Sequence, residues 1–196
     1  PYAESKVAAE KFILSGAPTG SSAGDSSGPS GGPARSSSEM VWTICRLATV
    51  YGVSPRMRFD LLVNQFTRDA YYGEKIEIFG EQGRTFVHVL DVVAAFKHIL
   101  GFKKSGVMRK VFNIGSTKGS NMTKRDLGFL VKKEFPKADI VLLDKVIDGR
   151  DYKVSFELVK ESLGFDPKHT VQGGVKEIAS YLDSNPNIDT YAPMFS

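Results

Sequence analysis

One cysteine, Cys45, occurs in 196 residues, so no internal disulfide framework braces the chain. It lies among Val41, Trp42, Ile44 and Leu47, which marks it as a buried thiol rather than a nucleophile. A lone thiol is compatible with a reducing compartment, and a cytoplasmic location is expected. No apolar run reaches the ~18 residues of a membrane span, and no membrane partner is expected. No Met and no signal-peptide pattern open the chain. A chain that opens inside a helix is expected to be a fragment or a processed product. The three histidines, His88, His98 and His169, stand far apart with no ligand spacing, so no metal site is expected. The net charge of +4 is scattered, with short clusters at Lys103-Lys104, Lys132-Lys133 and Arg56-Met57-Arg58. Solvated surface explains it; an anionic ligand such as a diphosphate, or RNA, is the sharper alternative.

What is present is a globular composition, 41% hydrophobic and 24% charged. Residues 2 to about 14 carry Ala3, Val7 and Leu14 on one helical stripe. Gly16 to Ser38 is almost wholly Gly, Ser, Pro and Ala, too poor in apolar residues to offset its ordering entropy; it is expected to be a disordered surface loop. Val41 to Val50 is a nearly unbroken apolar run, expected as one strand buried on both faces. Tyr51-Gly52-Val53-Ser54-Pro55 breaks it.

Phe59 to about Tyr72 reads as an amphipathic helix capped by Gly73, and Ile76 to Phe79 as a short strand. Thr85 to Val89 is another strand, after which Asp91 is expected to cap a helix with Val92, Val93, Phe96, Ile99 and Leu100 inward. Val111 to Ile114 is a strand. Thr123 and Asp126 form a capping box for a helix to about Phe135. Ala138 to Leu143 is a strand, and Phe156 to Leu163 and Val171 to Leu182 are helices. The tail from Asn185 to Ser196 is expected to be loose. Helices alternating with buried strands predict an α/β fold with parallel crossovers.

Tyr2 and Lys6 are four apart, one turn of one helical face. That spacing suits proton chemistry. A free phenol ionises near ~10, too high for a general base at neutral pH, and a neighbouring ammonium favours the phenolate. The pattern alone is common on helix surfaces.

Several motifs change its weight. Pro1-Tyr2-Ala3-Glu4-Ser5-Lys6 resembles the Tyr-x-x-x-Lys helix of the short-chain dehydrogenase/reductases. Arg46 to Gly52 resembles the Arg-x-x-x-Val-Tyr-Gly strand end of their extended branch, the NAD-dependent sugar-nucleotide epimerases and dehydratases. Gly83 to Val92 is similar to that branch's Arg-x-Phe-(Val/Ile)-His-Val-x-Asp-Val segment, and Val111 to Gly115 to its Tyr-Asn-(Val/Ile)-Gly strand. Gly149-Arg150-Asp151-Tyr152 and Leu163 to Pro167 resemble its carboxy-terminal signature. All stand in the family's order.

The resemblance implies the carboxy-terminal part of a Rossmann-type parallel sheet with a small α/β substrate-binding domain. Residues 1–15, 41–55 and 85–115 would belong to the NAD-binding part and 56–84 and 116–184 to the substrate part, with 16–38 an insertion and 185–196 a tail. Tyr2 would be the general acid/base at a sugar hydroxyl. Lys6 would hold the ribose of NAD or NADP and activate Tyr2. Ala48 would lie by the nicotinamide, and Thr49 and Asn64 by the sugar. Arg84 and Arg150 would grip the diphosphate, since a guanidinium offers paired charge-assisted hydrogen bonds. The plainer reading pairs Arg84 with Glu81 and Arg150 with Asp151. Ile76 to Phe79 is either a core strand or a wall beside the nucleotide base. The resemblance implies a nucleoside-diphosphate sugar as partner and a homodimer for the full-length protein; nucleic acid is not expected.

The family's strand-Gly-x-x-Gly-x-x-Gly-helix, whose N–H groups receive the pyrophosphate, does not occur in this sequence. The 196 residues are therefore expected to bind NAD poorly by themselves. Two other functions stand beside the enzyme: a non-catalytic relative that binds RNA or protein, and an inactive fragment. Retention of Tyr2 and Lys6 argues against the first.

Overall fold

The computed structural model describes residues 2–15, 42–116, 119, 121–143 and 153–191. The Gly/Ser/Pro insertion and Arg150 lie outside the described residues. In chain order the elements are α1 (Tyr2–Leu14), β1 (Thr43–Leu47), β2 (Thr49–Tyr51), α2 (Leu62–Tyr72), β3 (Ile76–Phe79), β4 (Gly83–His88), α3 (Val89–Gly101), α4 (Lys104–Val107), β5 (Lys110–Ile114), β6 (Asn121–Thr123), α5 (Lys124–Glu134), β7 (Ile140–Leu143), α6 (Glu157–Leu163) and α7 (Val171–Ser184). They fall into two units, Pro1–Ile44 with Lys103–Val111, and Cys45–Phe102 with Phe112–Ser196.

In the first unit, the Thr43 hydroxyl donates to the Val107 carbonyl at 2.7 Å, and the Arg109 N–H to the Trp42 carbonyl at 2.8 Å. No residue of α1 is buried. The stripe of Ala3, Val7 and Leu14 is not buried: Val7 and Leu14 are about half exposed. The apolar positions are spread around the helix with Lys6, Glu10 and Lys11 between them, so no face is free of charge.

The second unit is α/β. β2 runs parallel to β4, and β3 parallel to β7. The first half of β4 pairs antiparallel with β6. The expected single strand from Val41 to Val50 is two strands. β1 pairs with β5 and β2 with β4; between them the Ala48 N–H donates to the Ile114 carbonyl at 3.1 Å. The chain exchanges partners there, and β1 is only half-buried.

The core lies where α2, α5 and α7 meet β3, and includes Val63, Phe66, Ile76, Ile78, Leu127 and Val131. From α7, Val175, Ile178 and Leu182 are fully buried. Each contributes about 1.5–3 kcal/mol relative to exposure, which makes α7 an anchor of the unit. Gly73 caps α2 in the left-handed region at φ 74, which glycine enters without a Cβ penalty.

Three expectations are corrected. His88, not Asp91, caps α3: its ring accepts from the Leu90 N–H. The buried face of α3 is Asp91, Val92, Ala95 and Ile99, while Val93, Phe96 and Leu100 are exposed; the period is right and the face is rotated. The tail is tied down as far as Tyr191, whose hydroxyl donates to Glu74 at 2.6 Å and whose ring lies 4.3 Å from the Arg68 guanidinium carbon.

Candidate active site

Parallel strands deliver their carboxyl ends to the same place, where α/β proteins build sites. β2 and β4 do so in register, Tyr51 opposite His88. The Tyr51 and His88 rings meet edge to face, centroids 5.1 Å apart. His88 Nε2 is 2.6 Å from Glu177 on α7. The His169 ring stacks on His88 at 4.3 Å, and its Nδ1 lies 2.8 Å from the Asp91 carboxylate. Asp91 also accepts the N–H groups of Lys168 and His169. Tyr51, His88, Asp91 and His169 line a narrow cleft with Ser116, Pro167 and Val171. Burial first, then the negative charges of Asp91 and Glu177, push the Tyr51 phenol far up. Tyr51 is a buried ring packed between His88 and Gly174.

Sequence reasoning kept the three histidines apart, yet two of them stack. It did not single out Glu177 either. One signal was available: Gly173-Gly174, two glycines in a helix at a cost of about 1 kcal/mol each. The second gives Tyr51 room, since a Cβ there would overlap the Tyr51 ring.

The expected site residues are placed as follows. Ala48 and Thr49 lead into the end of β2, half-buried. Asn64, buried on α2, accepts the Gly52 N–H at 3.1 Å and donates to the Arg58 carbonyl at 2.9 Å. It thus shapes the turn after β2. Arg84 opens β4 and is buried, with its guanidinium donating to the Gly83 carbonyl at 2.8 Å. Its expected alternative partner Glu81 pairs instead with Arg125 at 2.8 Å. Four residues of strand, about 13 Å, separate Arg84 from His88. Arg150 lies outside the described residues. Ile76 and Ile78 point into the core, Glu77 outward.

In the other unit, Tyr2 and Lys6 share a face of α1, with the Lys6 ammonium 5.4 Å from the Tyr2 ring centroid. Tyr2 is 76% exposed, so a phenol and an ammonium are presented together to solvent. Cys45 is half-buried, and burial pushes its thiol up, which suits packing and not nucleophilic attack. Among the described residues no group of three or more His, Cys, Asp or Glu is placed to hold a metal ion, and no helix is long and apolar enough to cross a membrane.

A parallel α/β arrangement with polar groups at its strand ends is Rossmann-like. Residues 1–115 match the model of the NAD dependent epimerase/dehydratase family, more than half of the chain, and the chain belongs to that family. Among solved structures it is similar to MoeE5 in complex with UDP-glucuronic acid and NAD, at 25% identity and a TM-score of 0.71 over 94% of this chain and 56% of that one. It is also similar to UDP-glucose 4-epimerase with UDP-glucose from Thermotoga maritima, at 28% identity and a TM-score of 0.64 over 76% of this chain and 48% of that one. UDP-glucuronic acid 4-epimerase from Bacillus cereus, at 24% identity and a TM-score of 0.63, shares the fold over 73% of this chain and 45% of that one. The chain spans about half the length of these structures.

Proposed function

We propose that this chain supplies the acid/base pair and much of the substrate side of an NAD-dependent enzyme acting on a nucleoside-diphosphate sugar. The observation that carries the proposal is the exposed Tyr2–Lys6 pair on α1, within the family match over residues 1–115. Structures similar to the chain are complexes with UDP-glucuronic acid or UDP-glucose, one of them with NAD as well, which supports a sugar nucleotide as substrate.

The fit to NAD is divided. An exposed phenol and ammonium one turn apart suit the nicotinamide-ribose end. The sequence holds no strand-Gly-x-x-Gly-x-x-Gly-helix to suit the pyrophosphate. NAD, when bound, supplies the hydride acceptor. Tyr2 takes the proton from the sugar hydroxyl as that carbon is oxidised to a ketone, and returns it on reduction. The Lys6 ammonium stabilises the phenolate and donates to the ribose. Thr49 hydrogen-bonds the sugar, and Asn64 holds the Gly52 turn next to it. Arg84 and Arg150 neutralise the diphosphate. The keto-sugar then epimerises or loses water.

Calorimetric titration of the protein with UDP-glucose, uridine and glucose tests this reading. Binding of UDP-glucose that exceeds either component is expected. Absence of any UDP-sugar binding would overturn it.

A further inference from the structure

We propose that His88, held as its Nε2–H tautomer by Glu177, is a positioning residue that fixes the Tyr51–Gly52 turn at the end of β2. Its meaning for catalysis rests on the reading above, in which Ala48 and Thr49, at the start of the same strand, face cofactor and sugar.

The tautomer follows from the partners. Nδ1 accepts the Leu90 N–H at 3.2 Å, so Nδ1 carries no proton. The single proton of the neutral ring is then on Nε2, which donates to Glu177 at 2.6 Å. The His88 side chain is fully buried, and the Glu177 side chain is 36% exposed. A solvent-facing carboxylate on α7 therefore sets the orientation of a buried ring between two strand ends.

The ring is gripped on its faces as well as its edge. His169 stacks on it within 15° of parallel, and Asp91 holds His169 through the ring nitrogen and the backbone N–H. Tyr51 meets it edge to face at 81°.

Gly52 shows what the ring controls. Its φ is +107, outside the range of ordinary side chains, and a Cβ there would overlap His88 Nε2. The backbone of the turn thus lies directly on the nitrogen that Glu177 orients. On its other side the Gly52 N–H is taken by Asn64. A rotated ring would either push Gly52 off Asn64 or leave it unsupported. Glu177 acts on the end of β2 through the His88 ring.

The test uses the full chain and two variants, Glu177→Ala and Glu177→Gln. Glutamine keeps an acceptor for Nε2–H; alanine removes it. Nitrogen NMR of the His88 ring is expected to show the Nε2–H tautomer in the wild type. Amide exchange at Gly52 is expected to quicken about tenfold or more in Glu177→Ala and to return in Glu177→Gln, at equal unfolding midpoints. An Nδ1–H tautomer overturns the proposal. So does unchanged Gly52 exchange in Glu177→Ala, or an acceleration shared equally by all core amides. Titration with UDP-glucose on the same samples separates the two readings. A wild type that binds none, with the Gly52 effect intact, overturns the proposed function and leaves the role of His88 standing. Equal UDP-glucose affinity in all three proteins, with the Gly52 effect present, removes the link between this turn and the site.

Discussion

The Tyr51 ring rests on the backbone of Gly174, so closely that a Cβ at 174 would overlap it. Tyr51 is 3% exposed and braced on its other side by His88, so it has nowhere to move. Gly174→Ala therefore brings an overpacking cost of about 1–3 kcal/mol, against a helix-propensity gain of about 1 kcal/mol. Net destabilisation is expected as a lower urea midpoint. Gly101→Ala, at a position where a Cβ would meet nothing within 4 Å, is the control and should leave the midpoint unchanged or raise it. Equal midpoints for the two variants would contradict the close packing of α7 on β2.

The start of α5 makes a pH-dependent contribution. Thr123 accepts the Asp126 N–H at 3.0 Å, and Asp126 accepts the Thr123 N–H at 2.9 Å. The Thr123 N–H first, and then the Thr123 hydroxyl, which donates to the same carboxylate at 2.8 Å, hold the Asp126 carboxyl below the usual carboxylate range. A carboxyl depressed in the folded state stabilises the fold above its unfolded value of about 3.9, and this contribution is lost as pH falls through the lower folded value. Asp126→Asn should remove that part of the acid sensitivity, seen in urea midpoints taken between about pH 2 and 6. Thr123→Ala should cost about 1 kcal/mol at neutral pH. An unchanged pH profile in Asp126→Asn would show that the box contributes nothing.

Arg84→Lys keeps the charge and loses the paired donors. If Arg84 grips the diphosphate, UDP-glucose affinity should fall about tenfold, or about 1.4 kcal/mol, while uridine affinity is unchanged. Unaltered UDP-glucose binding would assign Arg84 to the β4–β6 edge alone.

Local chemistry was readable in the sequence, and long-range placement was not. The Thr123–Asp126 box and the Gly73 cap depend on residues within one turn, and both formed as expected. So did the parallel α/β plan, because strand and helix periods are local. The break at Ala48 is different: Val41 to Val50 is uniform in composition, and the division arises because β5 claims one half and β4 the other. β6 was missed because Asn121-Met122-Thr123 is a strand only by pairing with β4. The Asp91 carboxylate was expected at a cap but is taken up by the Lys168–His169 backbone, brought to it by α7 from far along the chain. The Tyr2–Lys6 spacing was legible because helix geometry fixes it. The stack of His88 on His169 was not, because only the tertiary fold brings them together.

Turnover by Tyr2→Phe is the most direct test of the proposed chemistry. The wild-type protein and the variant are each given NAD and UDP-glucose, with product formation and UDP-glucose affinity measured together. A phenylalanine keeps the ring and removes the proton carrier, so the rate constant should fall by about 10²–10⁴ at unchanged affinity. Turnover by the variant equal to that of the wild type would contradict a role for Tyr2 as the acid/base of a sugar-nucleotide enzyme.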